Sequence, residues 1–294
     1  MEQMRIHVHV GVHKTATTYV QGVLRHNLMA LNEAGVGYVP MGTLRRWVTR
    51  QLMAYHPEDF EIEQHLDRFF PHGVPDQVTG LVLSDENLLG DCQTFVRTGC
   101  PYPRLEDRLG QLGRLLSGHE VSLFCAIRGY ESFPASAYCE GMRHAGFVPF
   151  TEFESRIDWQ ALHWPVILER MERALRPTEL RVWRLEDFRG HAGQITSDLA
   201  FGQRLLMAVD TRRAERQSFS HLAVDALHAV AERLGQDVAS ELVRPVSDAL
   251  PKGPDRPAFT PWTGDRVERL RARYAENCRA IPRHRWVVPP SSHG

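Results

Sequence analysis

The residues best suited to chemistry lie near the start of the chain, in His7-Val-His-Val-Gly-Val-His-Lys-Thr-Ala-Thr-Thr-Tyr-Val20. An alternating apolar strand runs into a turn holding Gly11, His13 and Lys14, and a threonine-rich segment then opens an amphipathic helix. The start of a helix offers backbone N–H groups with no intrahelical acceptor and the positive end of the helix dipole. Together these hold a phosphate-like anion. Of the 35 basic residues only Lys14 and Lys252 are lysines. An ammonium is a compact point charge and a guanidinium a planar fork, so a lysine in this turn marks a task that the chain's usual cation does not serve. The spacing is not G-x-x-x-x-G-K-[ST]: two residues separate Gly11 from Lys14, and no glycine precedes the lysine. That disfavours a nucleoside-triphosphate hydrolase, although the physics of anion binding is shared.

Three further stretches carry candidate groups. Phe124-Cys-Ala-Ile-Arg128 ends a strand, and Ser136 follows eight residues later in the next helix, with Ser132 as the competing serine. A guanidinium grips a dianionic phosphate bidentately and a hydroxyl adds a neutral donor. Leu81-Val-Leu83 ends in Ser84-Asp-Glu-Asn87, where two carboxylates stand at the polar end of a buried strand. Either carboxylate could take a proton from a hydroxyl, and Asp85 also reads as a cap of the next helix. Arg184-Leu-Glu-Asp-Phe188 reads as a strand end and helix cap, its acids bonding backbone or an arginine. His7 and His9 share one strand face, as a pair of metal ligands would. No later strand ends in a matching His or Asp set, so no metal is expected.

The loop Gly11-x-His13-Lys14-Thr15-Ala16-Thr17-Thr18 resembles the phosphosulfate loop of sulfotransferases that use 3′-phosphoadenosine 5′-phosphosulfate (PAPS), especially bacterial members with a His-Lys-Thr-Gly-Thr-Thr loop. The resemblance covers roughly residues 5–190, with a looser helical match to the end. It implies that PAPS is the donor co-substrate and 3′,5′-diphosphoadenosine (PAP) the product, with no metal. Lys14, Thr15, Ala16, Thr17 and Thr18 would hold the 5′-phosphosulfate, Lys14 also stabilising the bridging oxygen that leaves sulfur. Arg128 and Ser136 would hold the 3′-phosphate. Glu86 would be the base, with Asp85 and His13 in reserve. Ala16 stands where the family has glycine; placed in the first helical turn, it is harmless. Arg216-Gln-Ser-Phe-Ser220 resembles an Asn-x-Ser segment of bacterial relatives and reads more strongly as a helix cap. The alternatives are a small-molecule kinase on a P-loop-like fold and a non-catalytic nucleotide-binding relative.

The elements that must position these groups read as β-α-(β)-α-β-α-β-α-β over residues 5–190. The pattern predicts a three-layer α/β fold like that of nucleotide kinases: a parallel sheet of about five strands with helices on both faces. From about residue 195 the chain reads as helical, with helices at 195–209, 222–234 and 267–281 and a proline-rich connector from Pro245 to Pro261. One domain over 1–288 and a disordered tail over 289–294 are expected.

At 294 residues, 43% hydrophobic and 24% charged, the composition is that of a soluble globular protein. A formal net charge of −1 argues against a dedicated nucleic-acid binder. The five cysteines form no C-x-x-C pair and read as reduced thiols in a cytoplasmic enzyme. No signal-peptide core is visible, and no run approaches the ~18 apolar residues of a membrane span. The resemblance implies transfer of the sulfuryl group to an acceptor hydroxyl on a carbohydrate, lipid or small natural product. Its pocket is expected from residues 42–72, 88–104 and 140–165, which hold Trp47, Tyr55, Tyr102, Phe147, Trp159 and Trp164.

Overall fold

A computed structural model describes residues 3–54, 68–74, 77–207 and 219–289. Five parallel strands form one sheet in the order β2-β3-β1-β4-β5, with β1 at Arg5–His9, β2 at Val36–Val39, β3 at Gly80–Ser84, β4 at Glu120–Ile127 and β5 at Glu179–Arg184. The three-layer α/β expectation holds. β3 and β4 are buried on both faces, which is why they read as unbroken apolar runs rather than alternating ones. Ile6, Val8, Leu81, Leu83, Leu123 and Cys125 face one core. Val82, Phe124, Ala126 and Trp183 face the other.

The first face is covered by α6 (Cys92–Thr98), α7 (Leu105–Leu115), α8 (Phe133–Ala145) and α10 (Trp164–Leu175). The second is covered by α1 (Thr17–His26), α2 (Leu28–Glu33) and α11 (Leu185–Leu199). Between β2 and β3 lie α3 (Met41–Leu44), a wide π turn at Arg45–Thr49, α4 (Arg50–Ala54) and α5 (Phe69–Gly73). A short α9 (Phe150–Arg156) follows α8, and the C-terminal portion holds α12 (His221–Leu234), α13 (Gln236–Ala249) and α14 (Gly264–Ala280). After α14 the chain returns to β5, where Val287 N–H donates to Val182 O at 2.9 Å. That contact covers an edge strand that would otherwise be open to pairing.

Two boundaries differ from expectation. The helix expected at 195–209 is α11, which starts directly after β5. Glu186 and Asp187 occupy its first turn, where carboxylates suit the dipole, and Phe188, Ile195 and Leu199 share its buried face. The connector expected from Pro245 begins later, because α13 runs through Pro245 to Ala249. An internal proline forfeits a hydrogen bond at roughly 3 kcal/mol, and burial of Ala239, Val243 and Ser247 on that helix offsets it. The expected lining residue Tyr55, most of the segment 216–220 and the tail beyond residue 289 lie outside the described residues.

The order 2-3-1-4-5 means the chain winds outward from β1 to one edge and then crosses to the other. Ligands of open α/β sheets bind beyond the carboxyl ends of strands at such a switch point. Lys14 follows β1, Glu86 follows β3 and Arg128 follows β4, so all three stand at that end.

Candidate functional site

The ladder of β1 continues through Val10 N–H to Phe124 O at 2.9 Å and Val12 N–H to Ala126 O at 3.1 Å, so the loop proper begins at His13. Gly11 is confined from the side: a Cβ there would stand 2.9 Å from both His9 Nε2 and Thr17 Oγ1. The Thr15 hydroxyl ties back to Val12 O. Lys14 (φ 67°) and Ala16 (φ 63°) both adopt the left-handed conformation on either side of Thr15. This alternation turns successive N–H groups toward one concavity. Among the described residues, the N–H groups of Lys14, Thr15, Ala16, Thr17 and Thr18 meet no protein acceptor, and hydrogen bonding resumes when Tyr19 and Val20 donate to Ala16 O. Orphaned backbone donors in such a run are rare and form a ready anion cradle.

Ala16 is therefore not in the first helical turn. It is the N-cap residue, at φ 63° and ψ 18°, a conformation that a glycine would take freely. For a non-glycine residue this geometry costs roughly 1–2 kcal/mol. Ala16→Gly is expected to raise stability by roughly 0.5–1 kcal/mol, the strain relief being partly cancelled by the greater freedom of an unfolded glycine. Urea unfolding measures this as a higher midpoint at unchanged slope; a lower midpoint would mean that the methyl's packing outweighs the backbone strain.

Lys14 Nζ lies 3.2 Å from Glu140 Oε2 on α8. Glu140 was not singled out in the sequence, yet it sits one turn beyond Ser136 on the helix face that also carries Ser132. Arg128 is bound on two sides: Nε donates to Ser132 Oγ at 2.9 Å and Nη1 to Lys14 O at 2.9 Å. Burial lowers its pKa from the ordinary arginine value, with Glu186 and Glu131 acting in the opposite direction. Its own carbonyl accepts from Trp164 Nε1 at 2.8 Å. The arginine thus locks the cradle to the end of β4. A cavity of about 130 Å³ opens beside it, lined by Lys14, Arg128, Ser132, Ser136 and Glu140 on one side and Arg143, Phe219, Phe259 and Thr260 on the other. The structure brings together Lys14, Arg128 and both candidate serines.

The acids after β5 have structural partners. Glu186 accepts from Gly129 N–H at 3.0 Å and from the Tyr274 hydroxyl at 2.9 Å, and Asp187 takes both arms of Arg184.

At the end of β3 the three candidate bases differ in what they have left. Asp85 is fully buried. It accepts from Arg45 Nε (2.9 Å) and Nη2 (2.8 Å), from the Thr49 hydroxyl (2.9 Å) and from Asn87 N–H (3.1 Å), the last being the expected cap. His13 has Nε2 3.0 Å from Asn87 Oδ1 and Nδ1 3.2 Å from the Tyr102 hydroxyl, so both ring nitrogens are engaged. Glu86 accepts from Arg45 Nη2 at 3.3 Å through Oε1 alone. Its Oε2 is buried and has no partner among the described residues. Of the three, Glu86 keeps a lone pair to offer.

His7 and His9 are built into the sheet's second face. His7 stacks on Phe201 at 3.7 Å and its Nδ1 meets Leu199 O at 2.9 Å. His9 is fully buried beside Trp183, its Nδ1 is 2.9 Å from Ser84 Oγ, and burial pushes its pKa down to about 3. Among the described residues, no three His, Cys, Asp or Glu side chains are grouped to hold a metal ion. Of the aromatics expected to line an acceptor pocket, Tyr102, Phe147 and Trp164 are buried: Tyr102 stacks on His13, Trp164 bonds Arg128 O and Phe147 packs on His228. Trp47 and Trp159 are half-buried. No helix among the described residues is long and apolar enough to cross a membrane. Compared with known proteins, the chain matches no family model, no curated protein and no solved structure.

Proposed function

We propose that this protein is a sulfotransferase that moves the sulfuryl group of PAPS to an acceptor hydroxyl, working in the cytoplasm without a metal. The observation that carries this reading is the run of unpartnered N–H groups from Lys14 to Thr18, with the Arg128–Ser132–Ser136 cavity one strand away. The run suits a 5′-phosphosulfate. The cavity suits a second, separate phosphate ester, and that is the feature by which PAPS differs from ATP. The loop resemblance points the same way.

When bound, the donor supplies a sulfuryl group on an oxygen that bridges sulfur and phosphorus. Lys14 then leaves Glu140 for that oxygen, where negative charge grows as the bond to sulfur breaks, and a preorganised cation is most effective there. The N–H groups and the hydroxyls of Thr15, Thr17 and Thr18 hold the 5′-phosphate. Arg128, with Ser136 or Ser132, holds the 3′-phosphate. Glu86 Oε2 takes the acceptor's proton. The acceptor is a carbohydrate, a lipid or a small natural product.

A thermal-shift panel tests the donor assignment. PAP in EDTA is expected to stabilise the protein by about 2.7 kcal/mol at a hundredfold excess over its Kd, with 5′-AMP well behind. Stabilisation by Mg·ATP alone would overturn the reading in favour of a small-molecule kinase.

A further inference from the structure

The turn after β3 holds a charge arrangement that base catalysis by a lone glutamate does not require. Arg45 sits at the start of the π turn Arg45–Thr49, and that wide turn brings Arg45 and Thr49 together on the same buried carboxylate, Asp85. Turns of this kind cluster at functional sites. One nitrogen, Arg45 Nη2, bridges both acids, at 2.8 Å from Asp85 Oδ1 and 3.3 Å from Glu86 Oε1. A bidentate pair with Asp85 alone would neutralise the buried charge, so the reach to Glu86 needs another explanation.

We infer that Arg45 and Asp85 are a positioning pair for Glu86: Arg45 orients its carboxylate, while Asp85 claims most of the arginine's charge and leaves Glu86 its role as base. The inference rests on the reading of Glu86 as the base. Arg45, Asp85 and Glu86 together carry one net negative charge before transfer. As the acceptor oxygen bonds to sulfur, the sulfur–bridge bond breaks with its electron pair going to the phosphate oxygen, and the hydroxyl proton moves to Glu86 Oε2. The triad is then neutral, a state that a poorly hydrated site favours. Of the other groups near Glu86, burial raises the pKa values of Tyr38 on β2, Cys92 on α6 and Tyr102, and the Arg108 guanidinium on α7 stands 3.5 Å from Asn87 O. His13 meets the turn through Asn87.

The test uses the full chain with ¹³C-carboxyl glutamate, saturated with PAP, taking the Glu86 signal as the one lost in Glu86→Gln. Arg45→Gln is expected to raise the Glu86 titration midpoint by about one unit, and Asp85→Asn to lower it by about one unit. Arg45→Lys should restore most of the loss. Opposite shifts are the signature, since a merely structural pair would move both the same way or neither, and either of those results overturns the inference. Arg45→Gln leaves Asp85 buried without its cation. Should that variant fail to fold, Arg45→Gln/Asp85→Asn replaces it, and its midpoint must lie above that of Asp85→Asn alone. The base assignment fails separately, if Glu86→Gln retains donor turnover; unmoved midpoints overturn only the pair.

Discussion

Lys14→Ala is expected to lower turnover of PAPS by at least about 10²–10³-fold, the loss seen when a single preorganised group is removed from a developing oxyanion. Release of PAP with 4-nitrophenol as acceptor measures it. Binding should suffer far less, because the five unpartnered N–H groups and Arg128 remain; the thermal shift given by PAP therefore stays largely intact. Geometry supports this division of labour. The lysine is a lip residue whose ammonium rests on Glu140 at 3.2 Å, with the side chain about one quarter exposed. Glu140 keeps His144 Nε2 at 3.9 Å, so losing this one partly exposed pair costs little stability; the variant folds and its defect is chemical. Undiminished turnover would remove the sulfuryl-transfer reading altogether.

Arg128→Ala is expected to fail differently. Removing its charge-assisted bonds should weaken PAP by about 10²-fold while leaving 5′-AMP nearly unchanged, so that the preference for the 3′-phosphate collapses. Calorimetric titration of the two nucleotides gives the ratio. A smaller effect shared by both nucleotides is also expected, because Arg128 Nη1 bonds Lys14 O and its loss loosens the cradle. If the two affinities fell equally, the cavity beside Ser132 and Ser136 would not be the 3′-phosphate site and the arginine would be only a strut for the loop.

The groups that could be read in the sequence are those whose meaning is local. Lys14 stood out by scarcity and Arg128 by its place at a strand end. The strand at 121–127 was plain because a parallel strand buried on both faces runs apolar from Leu123 to Ile127. What escaped depends on distant partners: Glu140 meets Lys14 across 126 positions and Arg45 meets Asp85 across 40, and no spacing rule reaches that far. The N-terminal boundary of α11 was hidden by Gly190 and Gly193, weak helix formers that the packing of Phe188, Ile195 and Leu199 overrides. Pro245 was read as a breaker because proline usually is one, yet the buried face of α13 holds it within the helix. Ala16 misled for the opposite reason, since alanine is the best helix former and its left-handed backbone is imposed by the turn around it.

The order of strands in the sheet acts as a ruler. Glu86, Lys14 and Arg128 follow β3, β1 and β4, three neighbouring strands about 4.8 Å apart. In the proposed reading, the turns that carry proton acceptor, leaving-group cation and nucleotide clamp start at intervals set by backbone hydrogen bonds. The crossover segments between β1 and β3 and between β3 and β4 hang outside this scale. Apart from the cradle at 13–18, the turn Arg45–Thr49 and the turn 85–87, they can exchange side chains without moving the reacting atoms relative to one another. In that reading donor chemistry is insulated from acceptor choice, and the acceptor can change while the three strand ends stay where they are.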